Sequence, residues 1–249
     1  MFELLYVLLA GVAAGVLNAM GGGGTFVALP ALVAFGLPPV TANAVSRVAL
    51  VPGAVAGAWV YRAQLAPVGA TSTRALTAVS VSGGAFGAVL LLTLPAASFE
   101  AATPWLLALA TVVLAFGRRV SRALSTGPVM STRAVLIGQF LLSVYGGYFG
   151  GAVGIMMLAL WSIGLGLDAA ESNPMRIAQL AAIYLSAAAL FLVASDALSA
   201  PLLLTVTLIG AVIGGFAGAH MARRMPAGLL RGVILTTAVV MTVLYFLRG

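Results

Sequence analysis

Residues 18–47 read NAMGGGGTFVALPALVAFGLPPVTANAVSR, and this stretch decides the fold. Four consecutive glycines and a proline interrupt a run that is otherwise apolar. A glycine inside a helix costs about 1 kcal/mol relative to alanine, so the cluster marks a place where the backbone opens or is closely approached. The stretch ends with Asn43 and Arg47, which share one face of a helix because they are four residues apart.

The same pattern returns later in the chain. A gap-free shift of 130 residues (151 minus 21) aligns Gly21 with Gly151, Gly24 with Gly154, Gly36 with Gly166, Leu37 with Leu167 and Asn43 with Asn173. Arg176 falls one residue before the position that matches Arg47. Chance is the alternative, since 30 glycines offer many accidental matches. Because glycine and asparagine set backbone geometry and polar contacts, we interpret the pattern as an internal duplication.

The composition is that of a helical membrane protein. Hydrophobic residues make up 62% of the chain and charged residues 7%, whereas a soluble domain carries about 25% charged residues. Long unbroken apolar runs, such as residues 105–116, are incompatible with the alternating pattern of an outer-membrane barrel. The sequence therefore predicts a polytopic bundle of transmembrane helices.

The reactive and charged residues exclude several classes of function. The chain has no cysteine, one histidine and five scattered acids, so we predict no thiol chemistry, no metal site and no cofactor. All basic residues are arginine, and the net charge of +7 indicates membrane orientation rather than nucleic-acid binding. The N-terminus lacks a basic segment, which predicts that no signal peptide is cleaved.

The sequence predicts ten helical segments, at residues 3–20, 24–36, 41–61, 73–94, 102–117, 133–149, 153–166, 172–194, 201–222 and 228–247. The second and seventh have about thirteen residues, too few to cross about 30 Å of hydrocarbon. Each follows a glycine cluster, so we expect segments one and two, and likewise six and seven, to form broken or re-entrant pairs. Irregular backbone at membrane depth is tolerated only where protein or a water-filled cavity covers it.

Loop charges predict an inverted repeat. Arginines mark the loop after segment three, the central loop and the loop between segments nine and ten, whereas Asp196 marks the loop after segment eight. Arginine-rich loops are cytoplasmic, so the loop after segment three lies inside and its counterpart outside. We predict an all-α polytopic membrane protein with two inverted repeats of about five segments, residues 1–117 and 133–249, and a cytoplasmic linker, residues 118–132. Both termini are then expected outside the cytoplasm.

Arg47 and Arg176 are the strongest candidates for function. An arginine at membrane depth costs about 2.5–3.5 kcal/mol even on the lenient insertion scale, so it usually serves a pathway or a partner. The alternative is that both side chains extend to the membrane interface. Each arginine shares a helical face with an asparagine, Asn43 or Asn173, and a guanidinium beside a helix start suits an oxyanion. We predict that these two half-sites meet near the midplane and form one anion site.

Further residues near the arginines and the glycine breaks complete the predicted substrate-binding set. These are Ser46, Gln179, Asn18, Tyr148, Gln139, Gly22, Gly23, Gly24 and Gly151. For each polar member, an interhelical hydrogen bond is at least as good an explanation as substrate contact. Two other groups of glycines predict close helix packing instead, namely Gly83, Gly84 and Gly87, and Gly210, Gly214 and Gly218.

Two stretches resemble the signature stretches of the TauE/SafE sulfite exporter family. They are GVLNAMGGGGTFVALPALVAFGLPPVTANAVSR at residues 15–47 and YGGYFGGAVGIMMLALWSIGLGLDAAESNPMR at residues 145–176. The likeness covers nearly the whole chain, including its length and duplication. It implies a multi-pass carrier of the bacterial or archaeal cytoplasmic (inner) membrane for sulfite, organosulfonates or related small anions. Leu160 stands where the first half has Pro30, so the two half-sites need not contribute equally.

We therefore predict a secondary transporter, not an enzyme, that exports a small sulfur-containing oxyanion such as sulfite or sulfoacetate by alternating access. Its partners are the anionic substrate and the lipid bilayer, with no nucleic acid. An anion channel is the alternative: it keeps the same anion site but lets ions pass without a conformational change that alternates access between the two sides. An intramembrane serine protease is a further alternative, which requires a partner at depth for His220. The sequence leaves open which anion is carried, how transport is energised and whether the chain forms a homodimer.

Overall fold

In a computed structural model of the protein, the described residues are 2–124, 130–168 and 171–224, together with 232, 235–236, 239–240, 242–244 and 246–247. The helices are α1 (Phe2–Gly21), α2 (Thr25–Ala34), α3 (Pro39–Val60), α4 (Thr73–Thr93), α5 (Ala96–Leu124), α6 (Thr132–Tyr148), α7 (Val153–Leu165), α8 (Asn173–Ala194) and α9 (Pro201–Arg224). Two 3-10 turns, Arg62–Gln64 and Asp196–Ser199, follow α3 and α8.

The all-α membrane architecture is confirmed. No β-strand occurs in the described part of the chain, and five of its helices are long and apolar enough to cross a membrane. The segments that qualify are Pro39–Val60, Thr73–Thr93, Ala96–Val113, Asn173–Ala194 and Pro201–Gly218. The predicted tenth segment, 228–247, lies mostly outside the described residues, and those described within it are helical.

Helix α5 differs most from its predicted bounds of 102–117. It begins at Ala96, directly after Pro95. Proline is favoured at the start of a helix because the first N–H groups of a helix have no partner within it, so the missing N–H of proline costs no hydrogen bond. It also continues to Leu124, so the helix includes the first seven residues of the predicted linker, 118–124. Apolar character predicts only the part of a helix that lies in the membrane, and the arginine-rich final turns were therefore missed.

The short helices α2 and α7 belong to re-entrant hairpins. Tyr6 near the start of α1 stacks on Phe35 just after α2, with ring centroids 6.1 Å apart. In the second pair, the Met130 N–H just before α6 donates to the carbonyl oxygen of Gly164 near the end of α7, at 2.7 Å. Each pair therefore enters the bundle and returns to the end from which it came. This path of the chain is the one that the re-entrant alternative predicts.

The tips of the two hairpins touch each other. Gly22 has a φ of +76° and Ala152 a φ of 58°, and the Ala152 N–H donates to the carbonyl oxygen of Gly22 at 3.2 Å. These two residues are 130 positions apart, as are Gly36 and Gly166, which also have positive φ angles. Equivalent residues of a duplicated chain contact each other when they lie on a two-fold axis. The inverted repeat stays a prediction, and this contact supports it.

Helices α3 and α8 cross antiparallel. A Cβ atom at Gly57, near the end of α3, would lie 3.1 Å from Cγ2 of Ile177, near the start of α8. Earlier in α3, the side chain of Arg47 lies against Tyr184, later in α8. The two helices that carry the predicted half-sites therefore face each other over about 10 residues, or about 15 Å.

The predicted role of the glycines in α4 and α9 is confirmed. Helix α9 packs on α1 and α4 packs on α6. A Cβ atom at Gly214 would overlap the backbone of Val12, and one at Gly87 would overlap the carbonyl oxygen of Val144. These glycines therefore allow close backbone approach rather than ligand binding.

One end of the bundle is basic. The loop before α4 reaches the end of α7, because a Cβ atom at Gly69 would lie 3.1 Å from the side chain of Leu165. The start of α6 joins the same end through the bond between Met130 and Gly164. The exposed arginines at this basic end are Arg62, Arg74 and Arg133. The start of α8 also lies at the basic end, as the contact between α3 and α8 requires.

Candidate anion site

Arg47 is the centre of the candidate site. Its side chain is 0% exposed, and its guanidinium carbon lies 4.8 Å from the centroid of the Tyr184 ring. The guanidinium also lies against the tip of the second hairpin, because a Cβ atom at Gly150 would overlap it. Within the described part of the chain, Nε, Nη1 and Nη2 all lack a hydrogen-bond partner.

None of the five acidic side chains neutralises this buried cation. The five acids, Glu3, Glu100, Asp168, Glu171 and Asp196, are all described and all exposed. An uncompensated buried charge destabilises a protein by about 3–5 kcal/mol, and a desolvated cation–π contact returns about 2 kcal/mol. The charge on Arg47 is therefore poorly compensated by the protein itself, and an anion would supply the missing partner.

Asn43 connects α3 to the end of α6, one turn before Arg47. Its Nδ2 atom donates to the carbonyl oxygen of Tyr148 at 2.8 Å, and Ser46 Oγ donates to the carbonyl oxygen of Asn43 at 2.8 Å. Its Oδ1 atom is buried and has no partner among the residues that the structure describes. The structure thus brings Asn43, Ser46, Arg47 and Tyr148 together, across the predicted halves. The side-chain hydroxyl of Tyr148 takes no part in this contact.

Tyr184 connects the site to α1 and to the second hairpin. Its hydroxyl donates to Asn18 Oδ1 at 3.2 Å and lies 3.4 Å from the carbonyl oxygen of Gly150. Sequence reasoning named Asn18 but missed Tyr184 and Gly150. Tyr184 lies two turns after Arg176 on the same face of α8, and this spacing was the one feature of the sequence that could have indicated a role for Tyr184 in the site.

In this conformation, the N–H groups of the first glycine cluster form hydrogen bonds with other backbone groups. The Gly22 N–H donates to the carbonyl oxygen of Asn18 at 2.8 Å, and the Gly23 N–H donates to that of Leu17 at 3.3 Å. Both groups therefore complete the end of α1 and are not available to a substrate in this state. Gly24 lies against α1, where a Cβ atom would come within 2.6 Å of the carbonyl oxygen of Ala14.

Gly151 lies at the tip of the second hairpin. Its carbonyl oxygen accepts a hydrogen bond from the Tyr145 hydroxyl at 3.0 Å. A Cβ atom at this position would lie 3.2 Å from the ring of Phe26 and 2.8 Å from that of Phe149. The space around Gly151 is therefore filled by aromatic side chains from both hairpins.

Arg176 does not join Arg47. It lies in the first turn of α8, is 3% exposed, and its Nε donates to Asn173 Oδ1 at 2.9 Å. Eight residues separate it from Tyr184, which corresponds to about 12 Å along the helix. The predicted merging of two half-sites near the midplane is therefore not seen in this conformation.

Gln139 and Gln179 lie away from Arg47, where α6 and α8 pack against α4. Gln139 Nε2 donates to Ser80 Oγ at 2.9 Å and to Met157 Sδ at 3.1 Å. Gln179 Nε2 donates to Thr77 Oγ1 at 3.0 Å and to Met175 Sδ at 3.1 Å. Both amides connect α4 to other helices, which is the interhelical role that the sequence left open for them.

Metal binding has no support at this site. Across residues 2–124, 130–168 and 171–224, no three histidine, cysteine, aspartate or glutamate side chains come together. The donors around Arg47 are cationic or neutral, and this favours an anion over a cation.

The comparison with protein families decides the identity. The model of the family described as Sulfite exporter TauE/SafE matches residues 7–245. The chain belongs to the TauE/SafE sulfite exporter family. No curated protein and no solved structure matches it. The resemblance of the two signature stretches is thus confirmed, and this TauE/SafE member is a multi-pass membrane transporter.

Proposed function

We propose that this TauE/SafE member exports a small sulfur-containing oxyanion, such as sulfite, sulfoacetate or another organosulfonate, by alternating access. The observation that carries the proposal is the fully buried, unpartnered guanidinium of Arg47 in a chain whose acids are all exposed. A planar fork of N–H donors matches the oxygens of a sulfite or sulfonate group. Tyr184 covers one face of the guanidinium, so its N–H edge is the part that meets the substrate.

The neighbours of Arg47 complete the proposed site. Asn43 Oδ1 is a free acceptor, which suits a protonated anion or a substrate that carries a hydroxyl or amine group. Asn18 and Tyr148 support the site through Tyr184 and Asn43, respectively. The glycines Gly22, Gly23, Gly24 and Gly151 form the tips that must separate when the site opens.

The arrangement of the hairpins supports alternating access over a channel. One hairpin enters from the basic end and the other from the opposite end, and their tips meet at Gly22 and Ala152. Withdrawal of one hairpin would expose Arg47 to one end only. A channel requires an open path, whereas Arg47 is 0% exposed between these tips.

We infer the orientation from the exposed arginines. The basic end, with Arg62, Arg74 and Arg133, is the cytoplasmic side of a bacterial or archaeal inner membrane. Residues 1–117 and 133–249 are then two copies of opposite orientation. Both termini lie outside the cytoplasm in this arrangement.

An enzymatic function finds no support at His220. Its ring is exposed and lies tilted against the Phe216 ring, with ring centroids 4.6 Å apart, and its Nδ1 lies 2.9 Å from the carbonyl oxygen of Phe216. The histidine of a serine protease triad has a serine hydroxyl at Nε2 and a carboxylate at Nδ1, whereas Nδ1 of His220 faces a backbone carbonyl. We therefore propose transport without covalent chemistry.

Flux of ³⁵S-sulfite into liposomes that contain the purified protein tests the function. We expect saturable uptake that shows counterflow, is inhibited by the preferred sulfonate and is unaffected by chloride. The Arg47→Gln variant should lose this uptake, while Arg62→Gln, which changes an exposed arginine over Trp59, should retain it. Equal uptake by Arg47→Gln and wild type would overturn the proposal, and flux that neither saturates nor shows counterflow would favour a channel.

A further inference from the structure

Arg176 has a free binding edge of its own. Its Nε atom is held by Asn173 Oδ1 at 2.9 Å, which fixes the orientation of the guanidinium. Its Nη1 atom is buried and makes no hydrogen bond to any residue that the structure describes. One edge of the group is therefore anchored, and the other presents a donor without an acceptor.

Arg176 lies on a different part of the helix crossing from Arg47. The guanidinium of Arg47 lies on Tyr184, and Arg176 lies about 12 Å from Tyr184 along α8. Because α3 and α8 are antiparallel, the two arginines lie toward opposite ends of the helix crossing.

The surroundings of Arg176 favour an anion. The nearest acids in sequence, Asp168 and Glu171, are exposed. Asn173 begins α8, so the positive end of the helix dipole lies in the same turn as the guanidinium. Three features of this position suit an oxyanion: the helix start, the fixed guanidinium and the unpartnered buried donor.

We propose that Arg176 and Asn173 form a second station for the transported anion, at the basic end and separate from the Arg47 site. This inference rests on the proposed transport function. The station at Arg176 then collects the anion, and movement of the α6–α7 hairpin passes it to Arg47.

Equilibrium binding of ³⁵S-sulfite to the purified full-length protein tests the second station. We expect the wild type to bind two ions per chain. The single variants Arg47→Gln and Arg176→Gln should each bind one ion, and the double variant should bind none. Arg62→Gln is the matched control and should bind two. Binding of one ion that either substitution abolishes would overturn the inference in favour of a shared site.

The remaining outcomes separate the two proposals. If Arg176→Gln binds like wild type, there is no second station, although the Arg47 site can still stand. If Arg47→Gln binds like wild type while Arg176→Gln loses binding, the proposed function of Arg47 is wrong and the Arg176 site remains. Absence of sulfite binding in the wild type would overturn both.

Two further measurements guard against misfolding. Arg176→Lys keeps the charge but loses the bond from Nε to Asn173, so the affinity of the second station should fall at least tenfold, about 1.4 kcal/mol, without loss of the folded protein in gel filtration. In oriented liposomes, Arg176→Gln should raise the half-saturating sulfite concentration at the basic end only. An equal rise at both ends would contradict a station on one side.

Discussion

The guanidinium carbon of Arg47 lies 4.8 Å from the centroid of the Tyr184 ring, so α3 and α8 meet through a cation and an aromatic face. The Tyr184 hydroxyl holds Asn18 on α1 and reaches the carbonyl oxygen of Gly150 on the second hairpin. One contact thus links four elements around a buried charge. Any movement of a hairpin that changes Tyr184 or Gly150 also changes the environment of Arg47.

Gly150→Ala should abolish transport. The new Cβ atom would overlap the guanidinium of Arg47, and the φ of +85° disfavours any side chain. Gly36→Ala is the matched control, because Gly36 has a φ of +89° and no atom within 4 Å of the new Cβ. Sulfite flux in liposomes should be lost in the first variant and kept in the second. Equal losses would mean that backbone strain alone is responsible.

The sequence predicted the helices and the two pairs joined by glycine clusters well, because apolar runs and glycine clusters are local signals. It also predicted the buried arginines, since a charge inside an apolar segment stands out. It could not predict that Tyr184 lies on Arg47, because that contact joins residues 137 positions apart (184 minus 47) through the helix crossing. The expected meeting of Arg47 and Arg176 stays a prediction, and the antiparallel register of α3 and α8 places the two residues on different parts of the helix crossing in this conformation.

Tyr184→Phe should destabilise the protein while leaving sulfite binding nearly intact. The ring under Arg47 remains, but Asn18 Oδ1 loses its donor inside the bundle, which costs about 1–3 kcal/mol. The melting temperature should therefore fall, and the dissociation constant for sulfite should change less than threefold. Tyr6→Phe serves as control, because Tyr6 is half exposed and stacks through its ring. A large loss of affinity with unchanged melting would instead place the hydroxyl in contact with the anion.

Arg47→Met should stabilise the ligand-free protein and abolish binding at this site. A long apolar side chain removes a buried charge that no acidic side chain compensates, and the desolvation of such a charge costs several kcal/mol. Thermal melting in detergent, with and without sulfite, measures both effects. Sulfite at 100 times its dissociation constant should stabilise the wild type by about 2.7 kcal/mol, and the variant less. A lower melting temperature for Arg47→Met would show that the guanidinium has a structural partner.

A disulfide between α3 and α8 should leave transport intact, because the α6–α7 hairpin, and not this pair of helices, opens the basic end. The chain has no cysteine of its own, so the double variant Gly57→Cys, Ile177→Cys contains a single pair of thiols. A Cβ atom at position 57 would lie 3.1 Å from Cγ2 of Ile177, which is close enough for a disulfide between the two helices. We expect mild oxidation to cross-link the double variant completely while counterflow stays undiminished, as it should in each single variant. Loss of counterflow on oxidation, with recovery after a reductant is added, would contradict this mechanism and would mean that α3 and α8 must separate to open the basic end.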